Sequence, residues 1–332
     1  MKVMRSGNGV SHAKIILIGE HAVVYGQPAI ALPLSKVKTR VHIEETNNGK
    51  QILHSRYFDG ELLHAPTSLA GMKHLIEHIL DEHSLTASSF NMTIKSDLPA
   101  ERGMGSSAAT AVAVIRALYD YFELHLSPAK LLRLANIAEK IIHGNPSGLD
   151  AATSASSHPI WMVKNKELYT LPININASLL ICDSGIKGRT GEAVASVKKR
   201  LELDQHATQT LLNKLGKLAF AAREQIAHDD PTGLGETFNT AQEQLAALGV
   251  SNKQLDTLIE TSLSLGALGS KLTGGGRGGC FISLMKDQEE AERLAQQLRI
   301  KGVTETWIQP LGNASEEEKA NAFKSIHGPR PY

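Results

Sequence analysis

The residues best suited to chemistry form a glycine-containing loop in the first half of the chain. The loop reads Asp97-Leu-Pro-Ala-Glu-Arg-Gly-Met-Gly-Ser-Ser-Ala-Ala109. Gly103 and Gly105 have no Cβ, so the backbone can turn sharply there and come close to a ligand. Ser106 and Ser107 stand where the N-cap of a following helix is expected, and the unpaired N–H groups of a helix's first turn bind anions. The loop therefore predicts a phosphate-binding site, with a ligand-free strand-to-helix turn as the alternative.

Two common nucleotide-binding motifs fit this loop poorly. A Walker A loop requires Lys followed by Ser or Thr after its last glycine, whereas Gly105 is followed by Ser-Ser-Ala. The segment Gly103-x-Gly105-x-x-Ala108 matches the relaxed dinucleotide fingerprint. However, the acidic residue of that motif belongs at the end of the next strand, and the candidates Asp120 and Glu123 lie in the following helix or at its end. We therefore predict a phosphate-binding loop of another kind.

Two carboxylates on either side of a Gly/Pro turn form a second candidate site. Glu139 lies just off the apolar stripe of a predicted helix, so its carboxylate falls at the margin of the buried face. Asp150 follows the turn at 143–148. Together they can serve a Mg²⁺–phosphate complex, one as a metal ligand and the other as acceptor of a hydroxyl proton. Taken singly, Glu139 equally fits a solvated surface residue, and Asp150 fits an N-cap for the Ala-rich segment 151–155.

A third feature is the glycine run that ends at Cys280. Five of the six residues at 274–279 are glycines, interrupted by Arg277. A turn does not require so many, so we expect the backbone to approach a ligand or the other glycine loop there. A flexible hinge is the alternative.

The elements expected to position these groups can be predicted from the spacing of apolar residues. Residues 90–95 alternate as in a half-buried strand, and apolar residues recur at helical spacing after the loop. A second helix is predicted over 128–142, with Ser127 as its N-cap and Pro128 at its first position. The glycine loop is therefore expected to connect a strand to a helix.

The rest of the chain predicts a mostly β first half and a more helical second half. Strands are expected at 14–19 and 36–44, and Asn47-Asn-Gly49 signals a hairpin into 51–54. Residues 66–83 and most of 190–265 read as helices. A strand, a helix and a strand at 280–308, with an earlier strand, suggest a small sheet covered by helices. We predict an N-terminal domain at 1–180, a C-terminal domain at 181–312 and a polar tail at 313–332.

The composition is that of a globular protein without a strong charge bias. The chain has 332 residues, 42% hydrophobic and 21% charged, with 35 Lys and Arg against 34 Asp and Glu. We therefore expect no nucleic-acid or membrane partner. Cys182 and Cys280 stand in apolar runs, which is typical of buried free thiols in a reducing compartment. With neither a signal peptide nor a membrane span recognised, a cytoplasmic location is expected.

Four motifs together resemble those of the GHMP kinase superfamily, in the expected order. They are Lys14-Ile-Ile-Leu-Ile-Gly-Glu-His-Ala-Val-Val-Tyr-Gly26, the loop 99–109, Ile142-His-Gly-Asn-Pro-Ser-Gly-Leu-Asp150 and Lys271-Leu-Thr-Gly-Gly-Gly. The resemblance spans roughly residues 10–285. It implies an α+β fold of two domains, with an N-terminal mixed β-sheet and helices and a C-terminal ferredoxin-like β-sheet and helices.

The resemblance also implies roles for particular residues. Asp150 would take the proton from a substrate hydroxyl, with Lys14 beside it, and Ser107 and Glu139 would ligate Mg²⁺. Glu20, His21 and Thr190 would join Lys14 and Asp150 in binding the substrate. The residues around the ATP phosphates would be Pro99, Ala100, Glu101, Arg102, Gly103, Met104, Gly105, Ser106, Ser107 and Ala108. The run 274–279 would brace this phosphate loop.

The branch of the superfamily that the motifs resemble most phosphorylates the C5 hydroxyl of mevalonate. Mevalonate and ATP are therefore the expected partners, with Mg²⁺ as cofactor, and a homodimer is left open. The alternatives are a sibling kinase for another small alcohol, an inactive nucleotide-binding regulator and, more distantly, a dinucleotide oxidoreductase. Three departures from the family pattern are His12-Ala13 before Lys14, Glu101-Arg102 where small residues are common, and Arg277 in the glycine run.

Overall fold

The structure is a computed structural model that describes residues 4–99, 101–144 and 146–312. Ala100, one of the predicted ATP-binding residues, lies outside the described residues. The same holds for Asn145 of the third motif and for the predicted polar tail at 313–332.

The described residues form eleven strands and nine α-helices. The strands are β1 (Ser6–Ile18), β2 (Pro28–Glu45), β3 (Gln51–His54), β4 (Asp59–Glu61), β5 (Phe90–Ser96), β6 (Ile160–Val163), β7 (Glu167–Thr170), β8 (Ser178–Asp183), β9 (Gly269–Leu272), β10 (Cys280–Met285) and β11 (Glu305–Pro310). The helices are α1 (Ala70–Glu82), α2 (Ser106–Tyr121), α3 (Pro128–His143), α4 (Leu149–Ala155), α5 (Thr190–Leu203), α6 (Gln205–Ala227), α7 (Pro231–Ala247), α8 (Lys253–Ser264) and α9 (Gln288–Ile300).

These elements fall into two compact units between which the chain passes five times. The first unit contains the described parts of 1–14, 33–100 and 105–157. The second contains those of 15–32, 101–104 and 158–332. The predicted boundary near residue 180 divides the sequence at a single point, whereas each compact unit is made of three segments. The boundary stays a prediction.

The first unit combines a mixed sheet with helices α1–α4. Its strands lie in the order β4-β3-β5-β2, with β3 parallel to β5 and the other two pairs antiparallel. Alternate residues of β2 and β5, such as Val41 opposite Ile94 and Ile43 opposite Met92, are in register. The core lies between these strands and the apolar faces of α1, α2 and α3. Burial of these faces stabilises the unit, because removing apolar surface from water contributes about 25 cal/mol per Å².

The predicted hairpin at Asn47–Gly49 is wrong. Strand β3 does follow the turn, but β5 lies between β2 and β3, so the two strands do not pair. The Asn-Gly signal reports only that the chain turns. Which strand pairs with β3 depends on β5, a strand that comes about thirty-five residues later in the chain.

The second unit contains an antiparallel sheet covered by helices. Its strand order is β11-β8-β10-β9, so β8 lies between the two strands that α9 connects. Strands β8 and β10 are buried along their whole length. Separately, the start of β2 pairs with β6, and β6 with β7. The predicted α+β fold, with a mixed sheet, helices and a small C-terminal sheet, is confirmed.

Most helix boundaries follow the predicted signals, with one correction at α2. Ser127 is the N-cap of α3 and accepts a hydrogen bond from the Lys130 N–H, as predicted. The N-cap of α2 is Gly105, in the left-handed conformation at φ 73°, and neither Ser106 nor Ser107 caps the helix. A left-handed residue before the first turn favours glycine, and the serines therefore begin the helix itself.

The first motif differs locally from its prediction. Strand β1 begins at Ser6, earlier than the predicted Lys14, and residues Ala22–Tyr25 form a 3₁₀ turn. Residues 29–32 and 36–44 belong to the single strand β2. Among the described residues, no helix has both the length and the apolar composition needed to cross a membrane.

Candidate active site

In the first unit, Lys14 and Asp150 form an ion pair. The Nζ of Lys14 lies 3.0 Å from Oδ2 of Asp150. The Lys14 side chain is only 2% exposed, whereas that of Asp150 is 34% exposed. A buried ammonium requires a nearby negative charge, and the carboxylate supplies it while remaining accessible from solvent. Asp150 is the second residue of α4, whose N-cap is Gly148, so it does not cap this helix.

Gly105 brings the phosphate loop against this ion pair. A Cβ built on Gly105 would lie 2.7 Å from Cγ of Lys14, closer than any side chain tolerates. The Lys14 side chain therefore lies across the glycine backbone, immediately before α2 begins. Because Gly105 also has a positive φ, both its conformation and its close contact require glycine.

Ser107 and Glu139, the predicted metal ligands, are in direct contact. The Ser107 hydroxyl donates a 2.8 Å hydrogen bond to Oε1 of Glu139, from α2 to α3. Glu139 is 4% exposed, while the next residue, Lys140, is exposed. The position of Glu139 at the edge of the apolar stripe is as the helical spacing predicts, and the alternative of a solvated surface residue is wrong.

The chemistry of this donor pair fits Mg²⁺. A hydroxyl and a carboxylate are hard oxygen ligands, and Mg²⁺ usually takes one or two carboxylates together with substrate phosphates and water. In the described part of the chain, no three His, Cys, Asp or Glu side chains cluster as an all-protein metal site. Magnesium that arrives with a nucleotide does not need such a cluster.

In the second unit, Glu20 and Lys271 form a fully buried ion pair. Lys271 Nζ contacts Oε1 of Glu20 and also donates a 2.8 Å hydrogen bond to the Leu272 carbonyl. Burial lowers the pKa of Lys271, and the neighbouring Glu20 carboxylate opposes this effect. Two further hydrogen bonds join the same segments, since Thr273 Oγ1 donates to the Ile16 carbonyl and accepts from the Ile16 N–H. These bonds fix the turn at Gly19–His21 against the strand β9.

His21 is buried and neutral near pH 7. Burial lowers its pKa to about 4, although a hydrogen bond with the Gly275 carbonyl raises it in part. The Nε2–carbonyl distance is 3.0 Å. Since a carbonyl only accepts, Nε2 carries the proton and donates, which leaves Nδ1 as an acceptor. His21 can therefore act as a hydrogen-bonding group rather than as a cation.

Thr190 and His21 both contact Gly275. It is the first residue of α5, and a Cβ on Gly275 would lie 2.3 Å from its Oγ1. Two of the predicted substrate-binding residues, His21 and Thr190, thus meet at Gly275. Their roles in binding stay a prediction.

Residues 101–104 of the phosphate loop pack against the third glycine run. Cβ atoms on Gly274 and Gly279 would each lie 2.8 Å from a loop carbonyl, that of Gly103 and that of Arg102 respectively. The Cys280 N–H donates to the Arg102 carbonyl. The expected close approach of the two glycine segments is confirmed. The hinge alternative is disfavoured, because residues 274–276 and 278–279 are buried.

The remaining loop residues occupy varied surroundings. Glu101 is exposed at φ 57° and pairs with Lys187, whereas Met104 and Ala108 are buried. Pro99 and Ser106 are half-buried.

Two of the departures from the family pattern have structural explanations. The Arg277 side chain turns away from the glycine run and donates to the Gly249 carbonyl and the Ser196 hydroxyl. Arg102 pairs with Asp183, its Nε lying 2.8 Å from Oδ2. Neither substitution therefore prevents the glycine run from packing against the phosphate loop.

Sequence reasoning missed Lys271, Thr273 and Asp183 as parts of this arrangement. Lys271 lies in the buried strand β9 and Thr273 directly follows it, both within the fourth motif, and their alternation with Leu272 was the available signal. Asp183 ends the apolar run of β8, yet its partner Arg102 is 81 residues away. No local pattern indicates such a pairing.

Comparison with known proteins identifies the family. Residues 71–158 match the model of the GHMP kinases N terminal domain, and residues 222–304 match that of the GHMP kinases C terminal. A mevalonate kinase of Pyrococcus abyssi is 33% identical over 313 residues, covering 88% of this chain and 92% of the relative.

Solved structures agree with this match. The mevalonate kinase from methicillin-resistant Staphylococcus aureus MRSA252 is 34% identical, with a TM-score of 0.71, and the alignment covers 93% of this chain and 100% of that one. The L. major mevalonate kinase in complex with R-mevalonate is 25% identical, with a TM-score of 0.79 and coverages of 95% and 99%. The chain described above therefore belongs to the GHMP kinase family, among the mevalonate kinases.

Proposed function

We propose that this protein transfers the γ-phosphate of ATP to the C5 hydroxyl of mevalonate, giving 5-phosphomevalonate and ADP. The observation that carries the proposal is the ion pair of buried Lys14 with partly exposed Asp150, packed against Gly105 of a phosphate loop. The family membership supports the same reaction, since the mevalonate kinases of Pyrococcus abyssi and Staphylococcus aureus are each more than 30% identical to this chain over most of its length.

Asp150 is the group that receives the proton of the attacking hydroxyl. Its carboxylate is accessible, and a carboxylate within hydrogen-bond reach of an alcohol is a suitable general base. The ammonium of Lys14, 3.0 Å from this carboxylate, stabilises negative charge that develops near it. Phosphoryl transfer requires little covalent chemistry from the protein, so positioning and charge neutralisation by such groups are sufficient.

Ser107 and Glu139 are the residues that would hold Mg²⁺. The ion would neutralise charge on the β- and γ-phosphates when the nucleotide is bound. The backbone N–H groups at the start of α2 supply further positive potential, because they lack partners within the helix. We assign the residues 99–108 to the phosphates of ATP.

Glu20, His21 and Thr190 are assigned to mevalonate, together with Lys14 and Asp150. The neutral ring of His21 suits a hydroxyl or carboxylate ligand through one hydrogen bond, and the Thr190 hydroxyl can donate or accept. Glu20 lies beneath the surface in its ion pair with Lys271, which supports a role in shaping the pocket. We also propose a cytoplasmic location, which the two buried free thiols support.

The test is a measurement of ADP release with Mg-ATP and a panel of alcohols. The panel contains mevalonate, phosphomevalonate, galactose and homoserine, each at saturating and limiting concentrations. We expect turnover with mevalonate at a kcat/KM at least a hundred times that of the other three, in the range that a site built around polar groups achieves. Turnover of another alcohol in the panel, and not of mevalonate, would identify that alcohol as the substrate. Nucleotide binding without turnover of any alcohol would indicate a regulator.

A further inference from the structure

The phosphate loop carries an arginine whose side chain is turned away from solvent and paired. We infer that Asp183 is a positioning residue for this loop, acting through Arg102. Arg102 then serves ATP binding by holding the loop in place, while its side chain pairs with Asp183. The inference rests on the proposed function, because it assigns residues 99–108 to ATP.

The ion pair has the geometry of a structural contact. Arg102 Nε donates to Oδ2 of Asp183 at 2.8 Å, and the two side chains are 18% and 5% exposed. The other carboxylate oxygen accepts the Gly185 N–H at 2.9 Å. One carboxylate therefore connects the phosphate loop with the segment 185–190, which ends at Thr190.

Backbone hydrogen bonds tie the same segments together around this pair. The Gly188 N–H donates to the Glu101 carbonyl at 2.8 Å, and the Cys280 N–H to the Arg102 carbonyl at 3.1 Å. The Gly279 N–H donates to the Ile186 carbonyl at 2.8 Å. Two ion pairs also join the phosphate loop to these segments. They are Arg102–Asp183 and, at the exposed edge, Glu101–Lys187.

The charge of Arg102 is compensated by Asp183. A guanidinium paired with a nearly buried carboxylate adds little net positive potential for a phosphate. The N–H groups of a helix's first turn have no partner within the helix, and they can bind an anion without the guanidinium. If the pair is broken, the buried carboxylate or guanidinium loses its partner, and the loop moves to solvate the remaining charge. Nucleotide binding is then weakened by the change in loop position.

Two conservative variants test this assignment. Asp183→Asn retains an oxygen for the Gly185 N–H but removes the negative partner of Arg102, and Arg102→Met removes the positive partner. We expect each variant to raise KM for ATP roughly tenfold with a smaller change in kcat, the effect of losing one charge-assisted hydrogen bond. In the double variant, KM for ATP is expected to rise no further than in the more strongly affected single variant, because the two residues act as a unit.

A third variant separates the two oxygens of the carboxylate. Asp183→Ala also removes the acceptor of the Gly185 N–H, so we expect it to raise KM for mevalonate as well, through the segment that carries Thr190. Arg102→Met is expected to leave KM for mevalonate within twofold. The matched control is Lys187→Met, which breaks the exposed ion pair of the neighbouring Glu101 and is expected to change KM for ATP less than twofold.

The experiment measures steady-state kinetics, binding of a non-hydrolysable ATP analogue and the melting temperature of each variant. Equal binding by Asp183→Asn and the wild type, or tighter binding because Arg102 is released, would overturn the inference. Multiplicative effects in the double variant would do the same. If the wild type turns over none of the alcohols, the proposed function fails, whereas the binding measurements still decide on the positioning role.

Discussion

In the ion pair of Lys14 and Asp150, one side chain is buried and the other is partly exposed to solvent. The ammonium is almost completely buried, whereas the carboxylate exposes a third of its surface. This asymmetry suits a base, because the carboxylate can meet a substrate while the buried ammonium holds it in position. Asp150 was predicted from its spacing after the turn at 143–148, but the partner of that carboxylate lies 136 positions earlier in the chain.

Replacing Asp150 by Asn tests its role as the base. The amide keeps the shape of the side chain but cannot accept a proton at neutral pH, so we expect kcat to fall by roughly 10²–10⁴, the contribution of general base catalysis. Binding of an ATP analogue is expected to remain within a few-fold of wild type. The control is Asp81→Asn, an exposed carboxylate in α1. A kcat near the wild-type value would return Asp150 to a purely structural role.

Replacing Glu139 by Gln tests the metal site. The amide retains a hydrogen bond from Ser107 but loses the negative charge that Mg²⁺ prefers. We expect the Mg²⁺ concentration for half-maximal rate to rise on the order of 10–100-fold, as it does when metal affinity depends on a single supporting carboxylate. The exposed Glu260→Gln serves as control. Identical Mg²⁺ titrations for Glu139→Gln and the wild type would exclude Glu139 as a ligand.

At the scale of elements, the prediction succeeded where the decisive information is local. The strand β5, the loop and the helix α2 follow from apolar spacing and glycine, and the ends of α3 follow from Ser127, Pro128 and Gly144. The pairing of β3 did not follow, because a parallel partner is selected by packing of strands distant in sequence. The same limit applies to Arg102–Asp183 and Glu20–Lys271, which join separate elements.

The contact of α7 with β9 depends on two facing glycines. A Cβ on Gly269 would lie 2.1 Å from the Gly235 carbonyl oxygen, so the helix and the strand are in backbone contact. We expect Gly269→Ala to lower the free energy of unfolding by about 1–3 kcal/mol or more, because neither backbone can move away without losing its packing. Urea denaturation measures this loss.

A second glycine provides the control for this substitution. Gly191 lies in α5 with no atom within 4 Å of its added Cβ and no positive φ, so Gly191→Ala meets no obstruction. Alanine is the better helix former, and the free energy of unfolding is expected to stay equal or rise by up to about 1 kcal/mol. Equal stability of the Gly269→Ala protein and the wild type would show that α7 and β9 tolerate a wider spacing.

At the scale of the whole molecule, the two compact units are a different kind of division from the single boundary predicted near residue 180. Residues 15–32 and 101–104 belong with the second unit although their neighbours in sequence belong with the first. Composition and linker signals detect a single cut between domains. These signals do not detect a chain that leaves a unit and returns to it. The segments that do so here, 15–32 and 101–104, are themselves parts of strands and motifs and not linkers.

The stability of the molecule should depend on pH through His21. In the unfolded chain this histidine takes up a proton below about pH 6.5, whereas in the folded protein it does so only near pH 4. Between these values the unfolded state binds more protons, so the free energy of unfolding falls as the pH falls, by up to about 1.4 kcal/mol per pH unit. The effect is absent above pH 7, where the ring is neutral in both states.

The variant His21→Gln separates this contribution from that of other groups. Glutamine can donate to the Gly275 carbonyl but does not titrate, so between pH 7 and pH 5 the variant is expected to lose roughly 2 kcal/mol less stability than the wild type. Urea unfolding at pH 7, 6 and 5 measures the difference, with His125→Gln, an exposed histidine, as the control. Parallel losses in His21→Gln and the wild type would mean that the folded protein binds a proton at His21 as readily as the unfolded chain. The ring would then be protonated in the folded protein at pH 5, and the neutral hydrogen-bonding role assigned to it in mevalonate binding would be restricted to higher pH.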